Sequence, residues 1–289
     1  MISFLFDSKR TVISFNSIFV GKLVAPRFRV CKSVYDDFFS KKLMRWVKAS
    51  LGCRKSIPFK ERLFKLIALS DIFCVFDIVQ YQRKDFNNRN KIKTSTGPIW
   101  LTVPVQSSGR LDSNMANISN IEIISNGWQK KHLKSIELNY KKAPYFDEYF
   151  CGLERILGNP YQYLVDLNFD LLLFLLGVLN INTKIIKASD YSFRGTKSDL
   201  VLDMCTQLDA NIYIFGEQGK DYADINAFKS KGVQPYFQSY NHPKYNQIKG
   251  EFEPFMSVLD LIFNHGKASK EIMMSNNVNR LELISNLLE

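Results

Sequence analysis

Three stretches of this chain gather side chains that hold or activate small polar molecules. The first, QYQRKDFNNRNKIKT, runs from Gln80 to Thr94 and sets three asparagines around Arg89. Asn and Arg together present many fixed hydrogen-bond donors, suited to phosphate, carboxylate or sugar oxygens. Composition alone favours a polar loop with Asn in turn positions. The second, FGEQGKDY, spaces Gly216 and Gly219 three apart and follows them with Lys220, Asp221 and Tyr222. Glycines there allow close backbone approach to a ligand, backbone N–H groups can meet an anion, and Lys220 adds charge. A glycine-rich strand-to-helix turn with solvated charges has the same spacing. The third, WQKKHLKSIELNYKKAPYF, puts His132 and Ile136 on one helical face, with Tyr140 a turn further and Lys131 among the surrounding lysines. A histidine in such a field can act as a general base with a lowered pKa.

Other candidates are less specific. His242 is held beside Pro243 in YNHPKY, and Glu251, Glu253 and Asp260 follow as possible bases or ligand carboxylates. There is no GxxxxGK[ST] loop, no H-E-x-x-H and no Ser-His-Asp or Cys-His order. Five scattered cysteines make no CxxC, which fits a reducing compartment. No metal or cofactor is assigned on these residues.

The chain of 289 residues is 46% hydrophobic and 23% charged, enough to bury a real core. A net charge of +11 favours an anionic partner: a phosphorylated metabolite, nucleic acid or an acidic membrane. The longest apolar run, Leu171 to Ile181, is too short to span a bilayer and reads as a buried helix. The first residues, with an acid and two cations in their apolar part, make a poor signal peptide.

These residues must be positioned by elements that alternate. A basic segment, residues 1–56, is expected to be largely helical, with a helix across Val34 to Leu51. Helices are then expected at Lys60 to Ser70, from Trp128 to before Pro144, at Phe146 to Leu157, Tyr161 to Leu179, Lys197 to Ala210 with Ser198 as cap, and Ser257 to Gly266. Strands are expected at Asp71 to Val79, Ile99 to Val105, Ser119 to Ser125, Thr183 to Ser189, Asn211 to Gly219 and Val233 to Tyr240. This alternation predicts an α/β fold over 57–266, three-layer and Rossmann-like, its mostly parallel sheet flanked by helices. A polar link and terminal helix occupy 267–289. In such sheets ligands sit outside the carboxyl ends of the strands, where Gln80, Tyr81, Ser189 and Gly216 fall.

SDIFCVFDIVQYQRKDFNNRNKIKT, WLTVPV, WQKKHLKSIELNYKKAPYFDEYF, TKIIKASD, FGEQGKDY, YNHPKY and FEPFMSVLDLIFNHG occur in the order in which they stand in the WbqC-like protein family of bacteria, which the chain resembles over about residues 57–266. The resemblance implies a cytoplasmic enzyme of surface-polysaccharide (O-antigen) biosynthesis. It would transfer a glycyl or other acyl group to an amino sugar or sugar nucleotide. In that reading Asn88, Arg89 and Lys220 grip the anionic part of the substrate, and His132 or His242 removes the proton of an attacking amine. Tyr81 and Asp221 orient the substrate, and Gln80, Asn90, Lys131, Gly216, Gly219 and Tyr222 complete the rim. The family's opening segment, like QPNYLPWLGYF, is replaced by RKSIPFKERLFKLIALSD, with Arg62 where a glycine is expected. TVISFNSIFVGKL is an alternative, displaced first strand. Nucleotidyl transfer is the neighbouring enzymatic reading. A non-catalytic protein touching nucleic acid or a membrane surface through residues 1–56 is the other, with nucleic acid the less favoured partner.

Overall fold

Helix α1 (Glu61–Ala68) places Leu63, Phe64, Leu66 and Ile67 on its inner face, all at most 4% exposed. That spacing is the amphipathic helix expected of KERLFKLIALS, and each such side chain removes apolar surface worth roughly 1.5–3 kcal/mol. In this computed structural model the described residues are 61–82, 85–106 and 117–288. They lie in a unit spanning Lys42–Glu289. The expected helix at Val34 to Leu51, the displaced strand TVISFNSIFVGKL and the basic segment as a whole fall outside the described residues.

The fold is a mixture of helices and short strands. After α1 come β1 (Ile72–Val75), β2 (Arg89–Thr94) and β3 (Gly97–Thr102). Three helices follow: α2 (Trp128–Tyr140), α3 (Phe146–Gly158) and α4 (Leu164–Val178). Then come β4 (Lys184–Lys187), α5 (Ser198–Gln207), β5 (Ile212–Phe215), α6 (Ile225–Ser230), β6 (Gln234–Phe237), α7 (Val258–His265), α8 (Ser269–Met274) and α9 (Arg280–Leu288).

Strand pairing is more divided than the sequence predicts. β1 runs parallel to β4, from Ile72 opposite Lys184 to Val75 opposite Lys187. β5 runs parallel to β6. β2 and β3 form an antiparallel hairpin in which Arg89 faces Thr102 and Lys91 faces Trp100. The small sheets are thus two parallel pairs and one antiparallel pair. β2 is unexpected; its RNKIKT is the cationic tail of the stretch read as a polar rim. Pro98 is tolerated in β3 because that strand pairs on one side only.

The expected strand at Ser119 to Ser125 does not form. That segment is a short 3-10 turn (Ile118–Asn120) followed by isolated bridges, Val105 to Ile123 and Glu122 to Tyr163. Ile121 alone is buried there, with Ile123 partly so, too little apolar surface for a full ladder. Ser198 is not the α5 cap either: Lys197 holds that place, and the Ser198 hydroxyl accepts from the Asp224 N–H at 3.1 Å. α7 stops at Gly266, whose φ of 54° is open to glycine, and the link after it holds α8.

Two apolar clusters carry the structure. The larger joins α1 to Phe73, Ile92, Tyr140, Phe146 and Phe263. The smaller packs Cys74 and Ile186 of the first parallel pair with Tyr213 and Phe215 of the second, under Met204 and Phe228.

Candidate functional site

The hairpin end is where the structure brings expected residues together. Asn88 clamps the strand after β3: its side-chain amide donates to the Val103 carbonyl at 2.8 Å, and its own carbonyl accepts the Val103 N–H at 2.7 Å. Next to it, the Arg89 guanidinium lies 4.3 Å from the centroid of the Trp100 ring. Lys91 Nζ approaches the same ring at 5.1 Å, and Phe86 packs against it at 5.2 Å. Trp100 remains 40% exposed, so this cation–aromatic platform faces solvent.

His132 reaches the hairpin backbone from α2. Its Nε2 lies 3.1 Å from the Thr102 carbonyl, opposite Arg89 in the hairpin register. A carbonyl only accepts, so Nε2 carries the proton and Nδ1 the lone pair. The ring stands edge-on to Trp128 at 5.0 Å. Burial lowers its pKa below the usual 6.5, which the bond to Thr102 partly offsets. The imidazole is therefore neutral at pH 7, the state a base needs. Asn88 and His132 thus meet the backbone of Val103 and Thr102 from a loop and a helix, and Arg89, paired with Thr102 in the strand register, turns its guanidinium over Trp100.

The remaining expected residues sit elsewhere. Asn90 turns its carboxamide oxygen to the Lys91 N–H at 2.8 Å, and Lys131 is exposed on α2. Gln80 bridges to Asn117. Tyr81 is 4% exposed, in a small cluster with Ile121 and Leu164.

The turn after β5 is a 3-10 stretch, Glu217–Asp221, that holds Gly219, Lys220 and Asp221, with Gly216 before it and Tyr222 after it. A Cβ on Gly219 would stand 2.6 Å from the Phe215 side chain, so the glycine serves packing of the turn. Lys220 and Asp221 are exposed, and Tyr222 sets its ring edge-on to Phe215. Arg62, the residue where the resemblance expects a glycine, pairs with Glu217 at 3.7 Å and lies beside Gly216.

His242 has both ring nitrogens engaged. Nδ1 donates to the Pro243 carbonyl at 2.8 Å, and Nε2 accepts the Phe255 N–H at 3.2 Å. Glu61 Oε2 is 3.5 Å from that Nε2. The rings of Tyr240, Tyr245, Phe252 and Phe255 surround it. The fold thus fixes this imidazole in place.

Sequence reading missed the buried polar network that joins the two regions. The Lys93 N–H donates to the Tyr140 hydroxyl, which donates to Asp260 Oδ1 at 2.9 Å. Asp260 Oδ2 accepts from Gln247 at 2.7 Å and lies 3.0 Å from the Tyr245 hydroxyl, which also reaches Glu61 at 3.2 Å. Lys93 Nζ donates to Gln247 at 2.7 Å and to the Glu251 carbonyl. Burial raises the pKa of Asp260, and burial with the neighbouring carboxylates pushes Tyr140 and Tyr245 far up. On α1, burial and Arg62 bring Lys65 down to about 8. The signal for Trp100 was present: cations at alternate positions in RNKIKT, opposite IWLT across a two-residue turn. Asp260 is read from sequence only as a possible base or ligand carboxylate, and nothing local marks Glu61 or the network that joins them.

At the carboxyl end of β1, Asp77 is 2% exposed and accepts the Ser189 N–H at 3.0 Å and hydroxyl at 2.6 Å. A cavity of about 40 Å³, lined by Val75 and Phe76, lies between the end of β1 and α4. Among the described residues no group of His, Cys, Asp and Glu could hold a metal ion. Among them, too, no helix is long and apolar enough to cross a membrane.

This clamp of Asn88 and Arg89 on a hairpin, with a helical histidine closing on it, stands within the matched region of a family. Residues 56–272 match the WbqC-like protein family, and the chain belongs to that family. It is 34% identical over 212 residues to "Uncharacterized protein Rv1507c" of Mycobacterium tuberculosis (strain ATCC 25618 / H37Rv), covering 73% of this chain and 90% of that protein. No solved structure matches.

Proposed function

We propose that this chain is a transferase that moves a glycyl, aminoacyl or other acyl group onto an amino sugar or sugar nucleotide during surface-polysaccharide biosynthesis in the cytoplasm. The observation that carries the reading is the convergence of Asn88, Arg89 and a neutral His132 on the end of the β2–β3 hairpin. Arg89 and Lys91 offer charge to a diphosphate, and the exposed Trp100 offers a face to a sugar or base. His132 Nδ1, with its lone pair, takes the proton of the attacking amine. The amine nitrogen bonds to the acyl carbon, the bond from that carbon to its carrier breaks, and the proton passes to the leaving carrier.

His132 is preferred over His242 as the base because both nitrogens of His242 are already engaged. Lys220 and Asp221, exposed on the turn after β5, are assigned to the outer part of the substrate, with Gly216 and Gly219 shaping the turn. Residues 57–266 form the catalytic domain. The two parallel pairs are parts of a Rossmann-like, three-layer sheet, a reading supported by the apolar cluster they share.

The test is transfer itself. The full chain is incubated with nucleoside-diphosphate amino sugars and activated glycyl and acetyl donors, and products are read by mass. Acylated product is expected with the wild type, reduced about 100- to 10,000-fold in His132→Ala. Full activity in His132→Ala would remove the proposed base.

A further inference from the structure

The cavity between β1 and α4 is too small for a sugar ring. A water-sized guest needs roughly 10–15 Å³ of such space. A volume of about 40 Å³ therefore admits roughly three to four heavy atoms. Its walls are mainly apolar. Val75 and Phe76 come from the end of β1, and Val165, Phe169 and Leu172 from one face of α4. Ile118 closes it from the 3-10 turn. Lys187 Nζ lies 4.6 Å over the Phe169 ring and 3.4 Å from Asp166, which fixes that wall.

Two carboxamides break the apolar lining. Asn168 donates its Nδ2 to the Asn87 backbone carbonyl at 2.9 Å, which leaves its Oδ1 as an acceptor. Asn87, 8% exposed, also lines the cavity. An apolar hollow with two asparagines in its wall suits a secondary amide bearing a short alkyl group. A methyl would fill the hollow, with the amide N–H toward Asn168 Oδ1 and the amide oxygen toward Asn87. A charged guest is disfavoured by the apolar walls. The position also fits: the cavity opens at the carboxyl end of a parallel strand, and Asn87 is next in sequence to Asn88 and Arg89.

We infer that this cavity is a binding subsite for a short N-acyl group, of acetamido size, carried by a sugar. The inference borrows from the transferase reading only the sugar as parent molecule. It adds that the substrate already bears, or the product acquires, an N-acetyl-sized arm held between β1 and α4.

The experiment titrates N-acetylglucosamine, acetamide and glucose into the isotopically labelled full chain, following the side-chain amide signals of Asn87 and Asn168. N-acetylglucosamine is expected to bind about tenfold more tightly than glucose, with acetamide shifting the same signals. Asn168→Leu removes the acceptor, and Leu172→Phe fills the hollow; in each folded variant, checked by thermal melting, the two sugars should bind alike. Equal response to both sugars in the wild type would overturn the proposal, as would a preference kept in both variants. The two readings fail separately. Acylation of amino sugars without this preference refutes the subsite alone. The preference without any acylation refutes the transferase reading and leaves the subsite standing.

Discussion

At the scale of single residues, burial decides what each titratable group can do. His132 has its pKa pushed below 6.5 in the folded chain, while the unfolded chain keeps the ordinary value. The unfolded state then binds more protons in the window below pH 6.5. The stabilisation is fully present above pH 6.5 and is lost as pH falls through the lowered folded value. Urea midpoints measured against pH should show that slope in the wild type and less of it in His132→Gln; an unchanged slope would contradict the assignment. Asp260 accepts hydrogen bonds from Tyr140, Tyr245 and Gln247 in the interior. Asp260→Ala leaves these donors unpaired and should cost about 3 kcal/mol or more in denaturant unfolding. A loss under about 1 kcal/mol would mean that the network is not maintained in solution. Among the described cysteines, Cys74 is pushed up to about 12 by burial and by Asp77 and Asp190, and Cys205 is pushed up further by burial. Cys151 is exposed. Alkylation read by peptide mass should mark Cys151 and spare both buried thiols until the chain is unfolded.

At the scale of elements, the turn after β5 separates two meanings of a glycine. Gly219 is required because a Cβ would stand 2.6 Å from Phe215. Gly219→Ala should destabilise by about 1–3 kcal/mol through overpacking. A fully stable Gly219→Ala variant that loses ligand binding would instead return the residue to a ligand-facing role. FGEQGKDY announced a turn with close backbone approach, but not whether the neighbour was a ligand or a ring, because both demand the same missing Cβ. Helices were legible where apolar spacing was strong, as in α1, α3 and α4. The hairpin was less so. RNKIKT carries cations at alternate positions, and their partner Trp100 is exposed, so the usual inward apolar signal of a strand is weak. SNIEIIS misled in the opposite way: it alternates like a strand, yet its neighbours meet it only at isolated bridges. Asp260 sits in an apolar helix, and its partners lie outside it: Tyr245 and Gln247 in the preceding loop and Tyr140, 120 residues away.

At the scale of the whole molecule, a net charge of +11 and the Arg89–Lys91–Trp100 platform bear on the same proposal, that the chain holds an anionic metabolite. Charge alone draws anions anywhere on the surface and is screened by salt. A site built on Arg89 retains selectivity at physiological salt. The most direct measurement is a calorimetric titration of a nucleoside-diphosphate amino sugar into the wild type and Arg89→Gln at 150 mM salt, about one 8 Å screening length. Saturable binding by the wild type that weakens roughly 10- to 100-fold in Arg89→Gln is the expected result. Absence of binding by the wild type, or equal affinity in the variant, would contradict it.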